Sequence, residues 1–218
     1  MTDASLPLLI NGYEKLFGPS SAIAALRLFL EKFPEPCSRK TLAGHVTGSA
    51  LVMDRGTGLA LRVYHPKLAC WVFSAGGHID GGETPWEAAT RELREEVGIK
   101  AQLIAPQEQG APLPLSLAAH AIPASPAKGE PAHWHYDLVY LFETDSMPAI
   151  MADPREVGEY QWAETAAFNK PEYPIDLAAQ LAVFRTAINV TGCIDCNVLT
   201  TRDDGHITPE VQANPNWL

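Results

Sequence analysis

Residues 76–99 read GGHIDGGETPWEAATRELREEVGI, a glycine-rich loop running into an acidic helix. Thr84 suits the N-cap, Pro85 the first helical position, and Glu87 completes a Thr-x-x-Glu capping box in which hydroxyl and carboxylate each satisfy a backbone N–H. Gly98 supplies a left-handed stop, so the spacing predicts a helix over 84–97. At about 100° per residue, Trp86, Ala89, Leu93 and Val97 fall on one side, the core face. Glu92, Glu95 and Glu96 share an adjacent arc about 100° wide, while Glu87 and Arg94 point elsewhere, to solvent. Three carboxylates on one arc repel one another by roughly a few tenths of a kcal/mol per pair when exposed, and by more when partly buried. A hard divalent cation removes that penalty, and an open set of oxygen ligands suits magnesium. Glycines flank His78, Ile79 and Asp80 and permit close approach of a ligand, so the Gly77 carbonyl can reach the same ion.

These residues resemble the Nudix box: Gly, five residues, Glu, seven residues, then Arg-Glu-apolar-any-Glu-Glu-any-Gly-apolar. Gly77, Glu83, Arg91, Glu92, Leu93, Glu95, Glu96, Gly98 and Ile99 meet every specified position, and a weaker likeness extends from about 44 to 165. Ala75 stands where many members carry a proline, a departure expected to loosen the turn slightly without touching the chemistry. The resemblance implies an α/β fold, an α/β/α sandwich around a mixed β-sheet. It also implies hydrolysis of the diphosphate bond in a nucleoside diphosphate linked to another moiety. Glu92, Glu95 and Glu96 are then the residues that hold one or more Mg2+ ions, with Mn2+ as a substitute, helped by the Gly77 carbonyl. Arg91 would orient a neighbouring carboxylate, and Glu83 would be structural or support the ligands. The cation screens charge on the diphosphate and acidifies water, and a carboxylate accepts the proton. Glu96 or Glu92 is the first choice for that base; Glu108, Glu130 or Asp137, from later loops, is the alternative.

Outside the box, residues 1–40 read as a helical extension of two apolar-rich segments divided at Gly18 and Pro19. In the second, Ile23, Leu26, Leu30 and Phe33 form one apolar face, suited to packing on the domain or to contacts in a homodimer. Strands are expected over 45–54 and 59–64, joined through a turn at 55–58, and over 71–73, 101–105, 115–122, 135–143 and 159–163. The stretch 106–131 reads partly as loop, a helix is expected over 176–189, and the last 25 or so residues look irregular. The expected division is a helical extension at 1–40, a Nudix domain at 41–168, and a C-terminal helix with an irregular tail at 169–218.

Weaker signals surround the box. His133, His135 and Asp137 alternate on one strand face, which suits metal or substrate contact or a satisfied polar face. Arg62, His65 and Lys67 suit substrate phosphates or a solvated strand edge. Trp71 could stack on a base, although core packing is the simpler role. Cys193 and Cys196 form a Cys-x-x-Cys, but with only His206 just downstream a four-ligand zinc site is the lesser reading beside ordinary reduced cysteines.

The composition, 46 % hydrophobic and 19 % charged over 218 residues, is that of one globular domain with terminal elements. A net charge of -10 repels polyphosphate backbones, which disfavours a nucleic acid polymer and leaves a small nucleotide-type substrate, its charge offset by a metal and local cations. Four cysteines are too few for a secreted disulfide framework, and neither a signal peptide nor a membrane span is visible, so a cytoplasmic protein with no membrane partner is expected. Pro114 fits the position that marks ADP-ribose hydrolases, whereas Leu115, Ser116 and Leu117 lack the tyrosine expected of diadenosine polyphosphate hydrolases. The coenzyme A hydrolase pattern is also missing. ADP-ribose or another nucleotide sugar is therefore favoured slightly over a nucleoside triphosphate. Two competing readings remain: a non-catalytic nucleotide-binding module, which usually loses box carboxylates, and an isoprenoid diphosphate isomerase, whose cysteine and histidine arrangement is not found.

Overall fold

The computed structural model describes residues 5–66, 69–73, 75–126, 129–151, 157–168 and 176–190, together with the backbone of 198–201 and 207–210. Two helices come first, α1 (Ser5–Phe17) and α2 (Ser21–Lys32). The strands β1 (Gly44–Asp54), β2 (Ala60–His65), β3 (Cys70–Val72) and β4 (Ala75–His78) then lead into α3 (Pro85–Val97). After it come β5 (Gln102–Leu103), β6 (Gln107–Glu108), β7 (Ala111–Pro112), β8 (Ser116–Ile122), β9 (His133–Thr144) and β10 (Glu159–Ala163). A 3₁₀ turn (Thr165–Phe168), α4 (Leu177–Val190) and the strands β11 (Val198–Thr201) and β12 (Ile207–Glu210) complete the order.

Eight strands form one mixed sheet, with β10-β2-β1-β9-β5 as its spine and β3, β4 and β8 paired onto β2, β1 and β9. β1 and β9 run parallel from Gly44↔Trp134 to Asp54↔Thr144. Parallel neighbours need a long crossover, and α3 lies within it. β1 is buried along nearly its whole length because both of its faces are covered. Val46, Ala50 and Val52 join Trp86, Ala89, Leu93 and Val97 of α3 in one apolar cluster. Leu51 and Met53 join Leu177, Leu181 and Phe184 of α4 in another. The result is an α/β/α sandwich around a mixed sheet.

The seating of α3 depends on glycine. Gly48 of β1 and Gly77 of β4 are register partners. A Cβ on Gly48 would fall 2.1 Å from the Pro85 carbonyl oxygen and 3.3 Å from the Ala89 nitrogen, so the first turn of α3 lies directly on the β1 backbone. α1 and α2 are part of the same core. Leu6, Leu9, Ile10, Ile23, Leu26 and Phe29 belong to the apolar cluster under α3, and the Phe29 and Tyr136 rings lie 4.8 Å apart. Ile23 and Leu26 are buried as their spacing predicts. Phe29 is the third anchor, while Leu30 and Phe33 are only half-buried.

Several local expectations change. The strand expected over 101–105 shortens to two residues; the Ile104 N–H still donates to the Leu141 carbonyl at 2.9 Å, and Pro106 then removes a donor. The glycine-rich stretch opens with a strand, β4, in which Ala75 pairs with Ala50 rather than forming a turn. The segment 106–131 contains the β6–β7 ladder, and the tail expected to be irregular carries the β11–β12 ladder. Lys67, Cys193, Cys196 and His206 lie outside the described residues. Among the described residues, no helix is long and apolar enough to cross a membrane. Gly48→Ala is expected to destabilise the fold by about 1–3 kcal/mol through overpacking. Gly81→Ala, where an added Cβ meets nothing within 4 Å, should stay within about 0.5 kcal/mol of the parent in chemical denaturation. Equal midpoints for the two variants would contradict the seating of α3.

Candidate active site

The start of α3 follows from its capping residues. Thr84 Oγ1 accepts from the Glu87 N–H at 3.3 Å, and Glu87 Oε2 accepts from the Thr84 N–H at 2.7 Å. Glu87 is therefore folded back onto the cap rather than aimed at solvent, as its angular position alone suggested. Arg94 is exposed as expected. Gly98, with a φ of 68°, ends the helix in the left-handed region.

Arg91 ties this helix to the strand before it. Its Nε donates to Glu83 Oε1 at 2.9 Å and its Nη2 to Glu83 Oε2 at 3.1 Å, a forked pair. Nη1 donates to Glu92 Oε1 at 2.8 Å and Glu95 Oε2 at 3.2 Å, and Nη2 also donates to the His78 carbonyl at 2.8 Å. These bonds, Glu83 foremost, raise the Arg91 pKa further above its ordinary value. Burial works against ionisation of Glu83, but hydrogen bonds from Arg91 and from the Asp80 N–H outweigh it and hold its carboxyl below the usual range. Glu92 has the opposite balance: burial, with Glu95 and Asp80 adding repulsion, outweighs Arg91 and raises its pKa.

The residues present fit a hard divalent cation. A Cβ on Gly77 would fall 2.2 Å from Glu92 Oε1, so the bare backbone of β4 is what admits that carboxylate. Glu96 Oε2 accepts from the Gly76 N–H at 3.2 Å, which brings a second carboxylate, four residues on, to the same strand. The Glu95 side chain stands at the rim, 60 % exposed. The donors are carboxylate and backbone oxygens, the set that magnesium or manganese takes.

The structure distributes the other sequence candidates unevenly. Asp137 Oδ1 accepts from the hydroxyls of Thr47 and Ser49, each at 2.8 Å. Ser49 is the register partner of Gly76, so Asp137 belongs to the sheet face opposite α3, close to β4. His133 and His135 share that face, as their alternation predicts, and the Nε2 atoms of the two rings lie 3.1 Å apart. His45 and His78 complete the group. His135 lies 4.6 Å from His45 and 5.1 Å from His78 between ring centroids, and His45 lies 4.7 Å from His78. Sequence reasoning missed these two, because only strand pairing brings the start of β1 and the end of β4 beside β9. Burial first, and then the neighbouring imidazoles, lower the pKa of His45 to about 4 and that of His135 to about 3.

Arg62 donates to Gln161 Oε1 at 3.1 Å and lies 4.6 Å from the centre of the Trp71 ring, held by β10 and an indole rather than by the acidic cluster. Glu108 pairs with Lys15 of α1 at 2.6 Å, and Glu130 with Arg39 at 3.5 Å. Neither meets the box carboxylates in a hydrogen bond or ion pair, and Asp137, although beside β4, lies on the opposite face of the sheet from them. Pro114 is buried in the link between β7 and β8.

Residues 45–182 match the family described as NUDIX domain. The chain belongs to the Nudix family. An RNA pyrophosphohydrolase from Erythrobacter litoralis is 35 % identical over 111 residues, which cover 48 % of this chain and 65 % of that protein. The chain thus spans just under two thirds of that relative's length. The structure of the E. coli dihydroneopterin triphosphate pyrophosphohydrolase aligns over 66 % of this chain and 95 % of its own, at 20 % identity and a TM-score of 0.46. A Nudix-family hydrolase from Clostridium perfringens aligns over 64 % of this chain and 95 % of its own, at 25 % identity and a TM-score of 0.48.

The matched Nudix segment begins with β1 and reaches into α4, so the whole box and both sheet faces described above lie inside it. Within the Nudix box, the guanidinium fork is the feature most sensitive to a conservative change. A lysine at 91 cannot serve Glu83, Glu92 and the His78 carbonyl together. Arg91→Lys is expected to lower stability by about 1–3 kcal/mol, the scale of charged hydrogen bonds lost at a partly buried site. The exposed Arg94→Lys should change it by less than about 0.5 kcal/mol. Urea denaturation of the two variants checks this, and losses of equal size would refute the role given to Arg91.

Proposed function

We propose that this Nudix protein is a magnesium-dependent pyrophosphohydrolase acting on a small nucleoside diphosphate linked to another moiety. The observation that carries this is the approach of Glu92 and Glu96 to the bare backbone of Gly76 and Gly77, with Arg91 steadying one of them. Glu92, Glu96 and the Gly77 carbonyl hold the cation, and Glu95 adds a carboxylate from the rim. Once bound, the ion supplies charge screening at the diphosphate and acidity at the attacking water. Glu83 fixes Arg91, and Arg91 fixes Glu92 and Glu95, so the ligands are oriented before substrate arrives. Glu96 accepts the proton from the attacking water, since Glu92 is committed to the guanidinium. Asp137, on the other face of the sheet, orients through Thr47 and Ser49 the strand next to β4. His135 and Arg62 are substrate-binding candidates of lower rank, each engaged by protein groups.

Among small substrates, ADP-ribose or another nucleotide sugar ranks first, on the position of Pro114. A second reading, a diphosphate at the end of an RNA, follows from the name of the Erythrobacter relative. The net charge of -10 favours the small substrate, because such a surface repels a polyphosphate backbone.

Incubation with magnesium and a panel of nucleotide sugars, nucleoside triphosphates, dinucleoside polyphosphates and triphosphate-ended RNA is expected to release phosphate or monophosphate from at least one member. Glu96→Gln should reduce turnover by about a hundredfold or more while circular dichroism stays unchanged. Normal turnover by that variant would remove Glu96 from the mechanism. An intact panel accompanied by tight nucleotide binding would identify a binding module instead.

A further inference from the structure

We infer that His45, His78 and His135, brought together by the pairing of β1, β4 and β9, form a nitrogen-donor site for a transition-metal ion of the zinc class, separate from the carboxylates of the Nudix box. One potential ligand atom from each of the three lies within 4.8 Å of the others. His45 is 4 % exposed, and neither of its ring nitrogens makes a well-formed hydrogen bond, the Thr41 backbone offering only a weak contact. A buried imidazole so poorly satisfied costs free energy, and a bound ion removes the cost at one nitrogen.

Backbone pairing fixes the geometry. His45 and His135 are parallel register partners, and His78 pairs with Thr47 on the other side of β1. His133 stands beside them: the 3.1 Å between its Nε2 and that of His135 is close to the ~3.3 Å that two nitrogens keep on one tetrahedral ion with bonds of about 2.0–2.1 Å. Neutral imidazole, the form that ligates a metal, is a poor clamp for phosphate. Imidazole ligands select zinc, cobalt, nickel or copper, whereas magnesium requires the oxygen set of the box. The two sites meet through one residue, since the His78 carbonyl accepts from Arg91 Nη2 at 2.8 Å. An ion on the imidazoles therefore anchors the end of β4, next to Gly77.

The test uses the full chain, stripped with chelator and held in excess magnesium. Cobalt(II) titration is expected to give one equivalent bound, with the visible bands of a tetrahedral nitrogen site. His45→Gln and His135→Gln should each weaken binding by about tenfold or more, and Glu96→Gln should leave it unchanged. Should the histidine variants fail to fold, ring ¹⁵N spectra of the wild-type chain decide: zinc must shift the resonances of His45, His78 and His135. The inference is overturned by wild-type protein that binds no cobalt, by a thiolate charge-transfer band, by binding lost in Glu96→Gln, or by histidine resonances that do not move. None of these readouts depends on hydrolytic activity, so failure here leaves the proposed hydrolase standing.

Discussion

Gly48 and Gly77 face each other across β1 and β4 and leave a patch of sheet without side chains. The rest of the site depends on that patch. The first turn of α3 rests on Gly48, and the Glu92 carboxylate occupies the space in which a side chain at 77 would begin. A helix on an ordinary sheet face stands off by the thickness of two side chains; here it stands close enough for its carboxylates to meet the strand backbone. Arg91 then fastens helix to strand through Glu83 and the His78 carbonyl. Glu92 and Glu96 are thus gathered where partial burial weakens the relief that solvent gives to their repulsion, while Glu95 stays at the exposed rim.

The alternation of β4 separates two kinds of chemistry. Successive residues of a strand point to opposite faces. Gly77 faces α3 and the carboxylates, while Gly76 and His78 face Ser49, Asp137 and the imidazoles. The box carboxylates collect on one side of a single strand, and the imidazoles, with Asp137, on the other. The N-terminal helices take no direct part, yet they share the core under α3, so the site's scaffold extends upstream of the matched Nudix segment.

The helix α3 is legible in the amino-acid sequence because its signals are local: Thr84, Pro85 and Glu87 at one end, Gly98 at the other, and an apolar stripe of Trp86, Ala89, Leu93 and Val97 between them. Local signals also mark β1, β8, β9 and α4 to within one or two residues. β4 is hidden, since two of its four residues are glycines and carry no side-chain pattern. The histidine cluster is half legible. His133 and His135 alternate within one strand, but His45 and His78 reach them only through a parallel and an antiparallel register that no local pattern encodes. Arg62 and Glu108 look eligible by charge alone. Their partners, Gln161, Trp71 and Lys15, are set by strand pairing and by the packing of α1, which charge does not reveal.

The claim on which the enzyme assignment rests is that Glu92 and Glu96 share a divalent cation against the Gly77 backbone. Anomalous diffraction from crystals grown with manganese tests it most directly. The account predicts a peak within ligand distance of both carboxylates and of the Gly77 carbonyl. Manganese bound elsewhere in the crystal, with no peak within ligand distance of Glu92 and Glu96, would contradict it.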